Sequence, residues 1–182
     1  PMQLDIAAIG EPLIEFNGTQ GGESRSFRRG FGGDTSNFVV AAARQGARTA
    51  YVSAVGDDEH GRLLRELWRA EGVDASGVAT DPSAPTGVYF VHHEGGRHRF
   101  SYLRAGSAAS RIGPASIPLE TFRAARVTHC SGISLAVSPP SCDACYAAIA
   151  AAKEAGRLVS FDTNLRLALW PKERARALVL DV

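Results

Sequence analysis

The chain has 182 residues, 45% of them apolar and 21% charged, with a formal net charge of +1. That length suits one ordinary domain with a real core, and the composition is that of a soluble globular protein. So small a charge excludes a bulk field for nucleic acid or a membrane surface, and no apolar run approaches the roughly 20 residues of a membrane span.

The N-terminal "PMQLDIAAIG" has no basic segment ahead of its apolar part and no small-residue cleavage site. It reads as a first strand, not a signal peptide. The run "LDIAAIGE" ends at a glycine, as a buried strand does. "PLIEFNG" alternates after Pro12 and predicts a second strand. "ESRSFRRG" is too polar for a core strand and fits a sheet edge. A helix is expected from about Asp34 to Arg44, closed by Gly46. "RTAYVSAVG" reads as a strand. "DEHGRLLRELWRAEG" reads as an amphipathic helix, with Leu63, Leu64, Leu67 and Trp68 on one side.

The rhythm then changes. "TGVYFVHHEGGRHRFSYLR" is two alternating runs about Gly95–Gly96, a β-hairpin signal. Beyond it come "LETFRAA" (helix), "RVTHCSG" (strand), "PPSCDACYAAIAAAKEAG" (helix), "RLVSFDTN" (strand) and a helix starting at Pro171. Alternating β and α with short connections predicts an α/β fold, a parallel sheet with helices on both faces. The hairpin at 86–104 and the early pair at about 12–31 break that alternation. They are expected to form a small separate β-sheet flanking or covering a site. The expected organisation is one α/β domain over residues 1–182 with this β appendage.

Four constellations carry candidate chemistry. In "GFGGDTSN" the pair Gly30 and Gly32 suggests a dinucleotide loop, but the third glycine is absent and no buried strand precedes it. One reading is a turn with Asp34 or Thr35 capping a helix. The other is a ligand seat, with Asp34 and Asn37 three apart on one helical face. A carboxylate and an amide aimed together suit hydroxyl groups better than phosphates. In the hairpin, Tyr102 and Arg104 share a face and Tyr89 lies on the opposing strand. They either line a surface hairpin or grip an acidic or polyhydroxylated compound. In "FDTNLRLALW", Asp162, Asn164 and Arg166 follow an apolar strand, where open α/β sheets bind ligands. Alternatively Asp162 and Asn164 cap the next turn. "CDAC" at 142–145 lies in an alanine-rich helical pattern, and only Cys130 and His129 could complete a tetrahedral metal set, so no metal or redox role is assigned. Three cysteines without an export signal point to free thiols and a cytoplasmic location. Arg28–Arg29 and Arg97–Arg99 are short basic clusters without interleaved aromatics, and His92, His93 and His98 flank an exposed turn, so both groups are read as solvated.

The ordered set says more than its parts. A first strand, "GGDTSN" opening a helix, "VGDDEHG", a hairpin ending in "YLR", and "DTNLRLALW" together resemble the ribokinase-like (PfkB) carbohydrate kinases, most of all 2-keto-3-deoxygluconate kinases. The resemblance implies a doubly wound, mainly parallel sheet with a β-sheet lid. It implies transfer of the ATP γ-phosphate, with Mg²⁺, to a hydroxyl of a sugar or sugar acid. The alternatives are a fructokinase, a ribokinase-type kinase or an inactive sugar-binding fragment. By the same resemblance Gly32, Gly33, Asp34 and Asn37 face the sugar, and Tyr89, Tyr102 and Arg104 close over it. Arg166 holds its far end, and Asp162 and Asn164 line the route to phosphates and metal. Two arginines favour an acid sugar. Partners are the sugar and ATP, with a homo-oligomer through the lid allowed and no nucleic acid or membrane. A second signature of such kinases, a "DTxGAGD"-like segment, does not occur in the sequence. The ATP-binding part and the catalytic base are therefore expected beyond Val182.

Overall fold

A computed structural model describes residues 4–19 and 26–182. Residues 23–25 of the predicted edge strand lie outside that range.

Strand β1 (Ile6–Ile9) is the centre of a five-stranded sheet. Strands β4 (Thr49–Gly56) and β8 (Val127–Ser131) flank it, with β5 (Val78–Asp81) and β9 (Leu158–Asp162) outside them. Every pairing in this sheet is parallel. Side chains alternate across it, so successive residues face opposite layers. Ala7, Ile9, Val52 and Ala54 face a core with α3 (Leu119–Ala124) and α5 (Pro139–Glu154), through Phe122, Ala148 and Ile149. Ala8, Tyr51 and Val55 face α1 (Asp34–Arg44) and α2 (Glu59–Ala70), through Val39, Leu64 and Trp68. Helices thus cover both faces, as the alternation predicts.

The four remaining strands form a second sheet in the order β3–β2–β6–β7. They are β2 (Leu13–Gly18), β3 (Phe27–Gly32), β6 (Val88–Glu94) and β7 (Arg97–Leu103). The polar strand β3 is its edge, as expected. One face of this lid rests on the α2 side: Ile14 and Val88 join that core, and Phe16 stacks on Phe90 and meets His60 edge-on. The opposite face carries Leu13, Tyr89, Phe100 and Tyr102.

Three features differ from the sequence reading. Strand β5 and the short helix α4 (Gly132–Val137) lie in segments assigned no element. His98 is exposed and His93 half-buried, but the two rings are not without partners: their Nδ1 atoms are 3.0 Å apart, and His93 Nε2 lies 2.7 Å from Asn17 Oδ1. His92 sets its ring edge-on to Phe27. Pairing across the hairpin brings these side chains together, which linear spacing does not show.

A candidate ligand cleft between lid and sheet

Chain order reverses at β1, because β4 and β5 run out on one side and β8 and β9 on the other. Ligands in open α/β sheets bind beyond the strand ends at such a point. A cleft of about 220 Å³ opens there, beneath the lid. Its floor is Glu11 after β1, Ile133 after β8 and Asn164 after β9. Its walls are the start of α1 and the cleft face of the lid.

The start of α1 divides residue by residue. Thr35 and Ser36 are buried: the Thr35 hydroxyl lies 3.0 Å from the Tyr51 hydroxyl, and Trp68 Nε1 donates to Ser36 Oγ at 2.9 Å. These bonds fix the first helical turn against β4 and α2. Gly10 makes room for it, since a Cβ there would sit 2.2 Å from Thr35 Oγ1. Asp34 and Asn37 then face the cleft. Neither Asp34 nor Thr35 is the cap considered from sequence. Gly33 is the N-cap, without a side-chain bond, because its backbone at φ 95° suits only glycine. Asp34 is the first helical residue, where a negative charge meets the positive end of the helix dipole. Its Oδ1 accepts from the Thr35 N–H at 2.8 Å and its Oδ2 from Asn164 Nδ2 at 3.0 Å.

On the lid, Tyr89 and Tyr102 are cross-strand partners with rings stacked at 5.5 Å. The Arg104 guanidinium lies 5.5 Å from the Tyr102 ring centre. Gly32 does not itself line the cleft: it is buried against Tyr89, where a Cβ would stand 2.4 Å from the ring. The Tyr89 hydroxyl donates to Glu15, and burial together with that carboxylate pushes the phenol upward. Arg104 pairs with Glu11, whose other oxygen accepts from the Ser107 hydroxyl at 3.0 Å. Burial pushes the Glu11 carboxyl up, and Arg104 and Ser107 pull it part of the way back.

After β9 the chain turns at Asn164, with φ 32°, a left-handed conformation that asparagine tolerates. Asp162 Oδ1 accepts from the Asn164 N–H at 3.0 Å, so Asp162 shapes the turn and does not line the cleft. Arg166 lines it, is exposed, and forms no ion pair among the described residues.

The model of the pfkB family carbohydrate kinases matches residues 3–182. The chain belongs to this family. The 2-dehydro-3-deoxygluconokinase of Thermoproteus tenax is 42% identical over 98% of the chain and 56% of its own length. The probable fructokinase-4 of Arabidopsis thaliana is 39% identical over 97% of the chain, again 56% of its own. A crystal structure of a PfkB protein from a Polaromonas species superposes with a TM-score of 0.92 at 32% identity, over 98% of this chain and 62% of that one. The chain therefore spans little more than half the length of the curated relatives it matches.

In this pfkB chain eight of the ten residues singled out from sequence gather at one cleft: Gly33, Asp34, Asn37, Tyr89, Tyr102, Arg104, Asn164 and Arg166. Gly32 stands behind Tyr89 and Asp162 behind Asn164. Sequence reasoning missed Glu11, Leu13, Phe100 and Ile133. Glu11 carried a usable signal, a carboxylate directly after the first buried strand, the same placement that drew attention to Asp162. Among the described residues no three His, Cys, Asp or Glu side chains converge to hold a metal ion. The three cysteines are buried free thiols, and burial drives those of Cys130 and Cys145 strongly upward, Cys130 to about 12. No helix among the described residues is long and apolar enough to cross a membrane.

Proposed function

We propose that this chain is the sugar-binding part of an ATP-dependent kinase that phosphorylates a hydroxyl of a small sugar acid, 2-dehydro-3-deoxygluconate first. The observation that carries this is the donor set at the cleft. A carboxylate (Asp34), two amides (Asn37, Asn164), two phenols and two guanidiniums converge on about 220 Å³. Such a set reads several hydroxyls and one acid group. Among the pfkB relatives, the 2-dehydro-3-deoxygluconokinase supports this substrate, and the fructokinases support the second reading given below.

Arg166 is the cation free to take a substrate carboxylate. Arg104 is already paired with Glu11, so it serves as a hydrogen-bond donor more than as a charge. That pairing favours a second reading, fructose, which needs no second free cation. ATP and Mg²⁺ belong to the proposed activity at family level. Among the described residues no three His, Cys, Asp or Glu side chains converge, and no residue is named as a Mg²⁺ ligand. Four carboxylates at or behind the cleft are engaged, Asp34 by Asn164, Glu11 by Arg104, Glu15 by Tyr89 and Asp162 by the Asn164 N–H. None is assigned as the base that takes the hydroxyl proton, and the chain by itself is expected to release no ADP.

Calorimetric titration with 2-dehydro-3-deoxygluconate and fructose tests the substrate reading. Arg166→Ala is expected to weaken the acid sugar at least tenfold and fructose less than threefold. Equal losses would sink the acid-sugar assignment.

A further inference from the structure

Four segments carry the chain between the central sheet and the lid: Gly10–Pro12 after β1, Gly33 after β3, Thr86–Gly87 before β6, and Arg104–Ser107 after β7. All four meet at Glu11. A Cβ on Gly33 would stand 2.4 Å from the Glu11 carbonyl oxygen, and one on Gly87 would stand 3.2 Å from Glu11 Oε1. The Ser107 hydroxyl donates to Glu11 at 3.0 Å, and Arg104 forms its ion pair there. The two side chains keep only 3% and 14% of their surface, and what Arg104 keeps borders the cleft it lines.

An ion pair this deep is not explained by stability alone, since apolar side chains of similar volume often serve a fold as well. Its position explains it better. The Arg104 stem leaves the lid one residue past β7, and its guanidinium lies over Tyr102 at the cleft. Without an anchor, so long a side chain samples many rotamers. We propose that Glu11 is a positioning residue: its carboxylate fixes and neutralises the Arg104 guanidinium at the cleft wall, where all four lid connections meet. Glu11 acts through Arg104 and does not itself contact the sugar. The inference rests on the sugar-cleft reading for its ligand, but the pairing itself is testable without one.

The test is a double-mutant cycle, Glu11→Gln, Arg104→Gln and both together, with two readouts. The first is the NMR signal of the Arg104 Nη–H protons, the end of the side chain that meets Glu11, which an anchored guanidinium holds apart from the averaged signals of solvated arginines. Glu11→Gln is expected to merge them with those signals. The second is calorimetric affinity for 2-dehydro-3-deoxygluconate and fructose. Glu11→Gln is expected to weaken the better-bound sugar at least fivefold, and by less than twofold once Arg104 is already Gln. An unmoved Arg104 signal, or an equal loss in both backgrounds, overturns the proposal. If Glu11→Gln does not fold, recovery of folding in the double variant supports the pair, and failure to recover overturns it. If the wild-type chain binds neither sugar, the sugar reading falls, and the Arg104 signal alone decides on Glu11.

Discussion

Asp34 holds a hydrogen bond on each carboxylate oxygen, while its neighbour Thr35 is fully buried against Tyr51. What separates their fates is the backbone at Gly33. At φ 95° a Cβ would be strained and would also strike the Glu11 carbonyl. Strain of this kind costs about 1–3 kcal/mol. Gly33→Ala is therefore expected to lower the urea-unfolding free energy by about 2 kcal/mol or more, and a change under about 0.5 kcal/mol would refute the strain. His129 offers a second check. It is buried, stacks on Phe38 at 3.7 Å and lies 3.0 Å from Ser160 Oγ. Burial pushes its pKa below the ordinary 6.5, partly opposed by the charges of Asp34 and Asp162. The unfolded chain then takes the proton first, so stability falls as pH drops below about 6.5. His129→Gln is expected to flatten the urea midpoint between pH 7.5 and 5.5, and an unchanged pH slope would contradict this.

At the scale of elements, the loop after β9 is held against the start of α4. A Cβ on Gly132 would stand 2.2 Å from the Thr163 carbonyl oxygen, and Trp170 packs on the same side. Backbone meets backbone there, so Gly132→Ala cannot be relieved by a side-chain turn. It is expected to displace Asn164 and Arg166 together, shifting the amide signals of 162–168 and weakening sugar binding more than tenfold. Unshifted signals would mean the loop is not so held. The same elements show what a sequence carries. The hairpin was legible because alternation flanks Gly95–Gly96. The helix at 34–44 was legible from its apolar period and Gly46. Strand β5 was not, because an outermost strand with the burial of Val78–Asp81 shows no apolar run. Helix α4 is six residues of "GISLAV", too short for a period to declare itself. The position of Glu11 after β1 was legible, but its pairing was not, because Arg104 and Ser107 lie far along the chain and only the packing of the lid brings them together.

For the whole molecule, the layering and the cleft at the strand ends were legible from the β/α rhythm, because that connectivity admits few arrangements. Charge balance within the cleft was not, because it depends on the ion pair beneath it. Strand β9 is an outer strand of the central sheet and its Leu158 is 70% exposed; Leu180, in the C-terminal helix Lys172–Asp181, is 75% exposed, with Leu165 and Leu167 also exposed. Unpaired edges and apolar surface of this kind promote association. The chain is expected to exceed its 19.3 kDa monomer mass in light scattering, and Leu158→Lys with Leu180→Lys to reduce that excess. A clean monomer would contradict this. Whether the lid and the sheet together seat a sugar is decided by titrating the chain and its Asp34→Ala variant with 2-dehydro-3-deoxygluconate and fructose in a calorimeter. Saturable one-site binding of at least one sugar is expected, weakened tenfold or more in the variant. No binding, or binding indifferent to Asp34, would mean that the cleft is not a sugar seat.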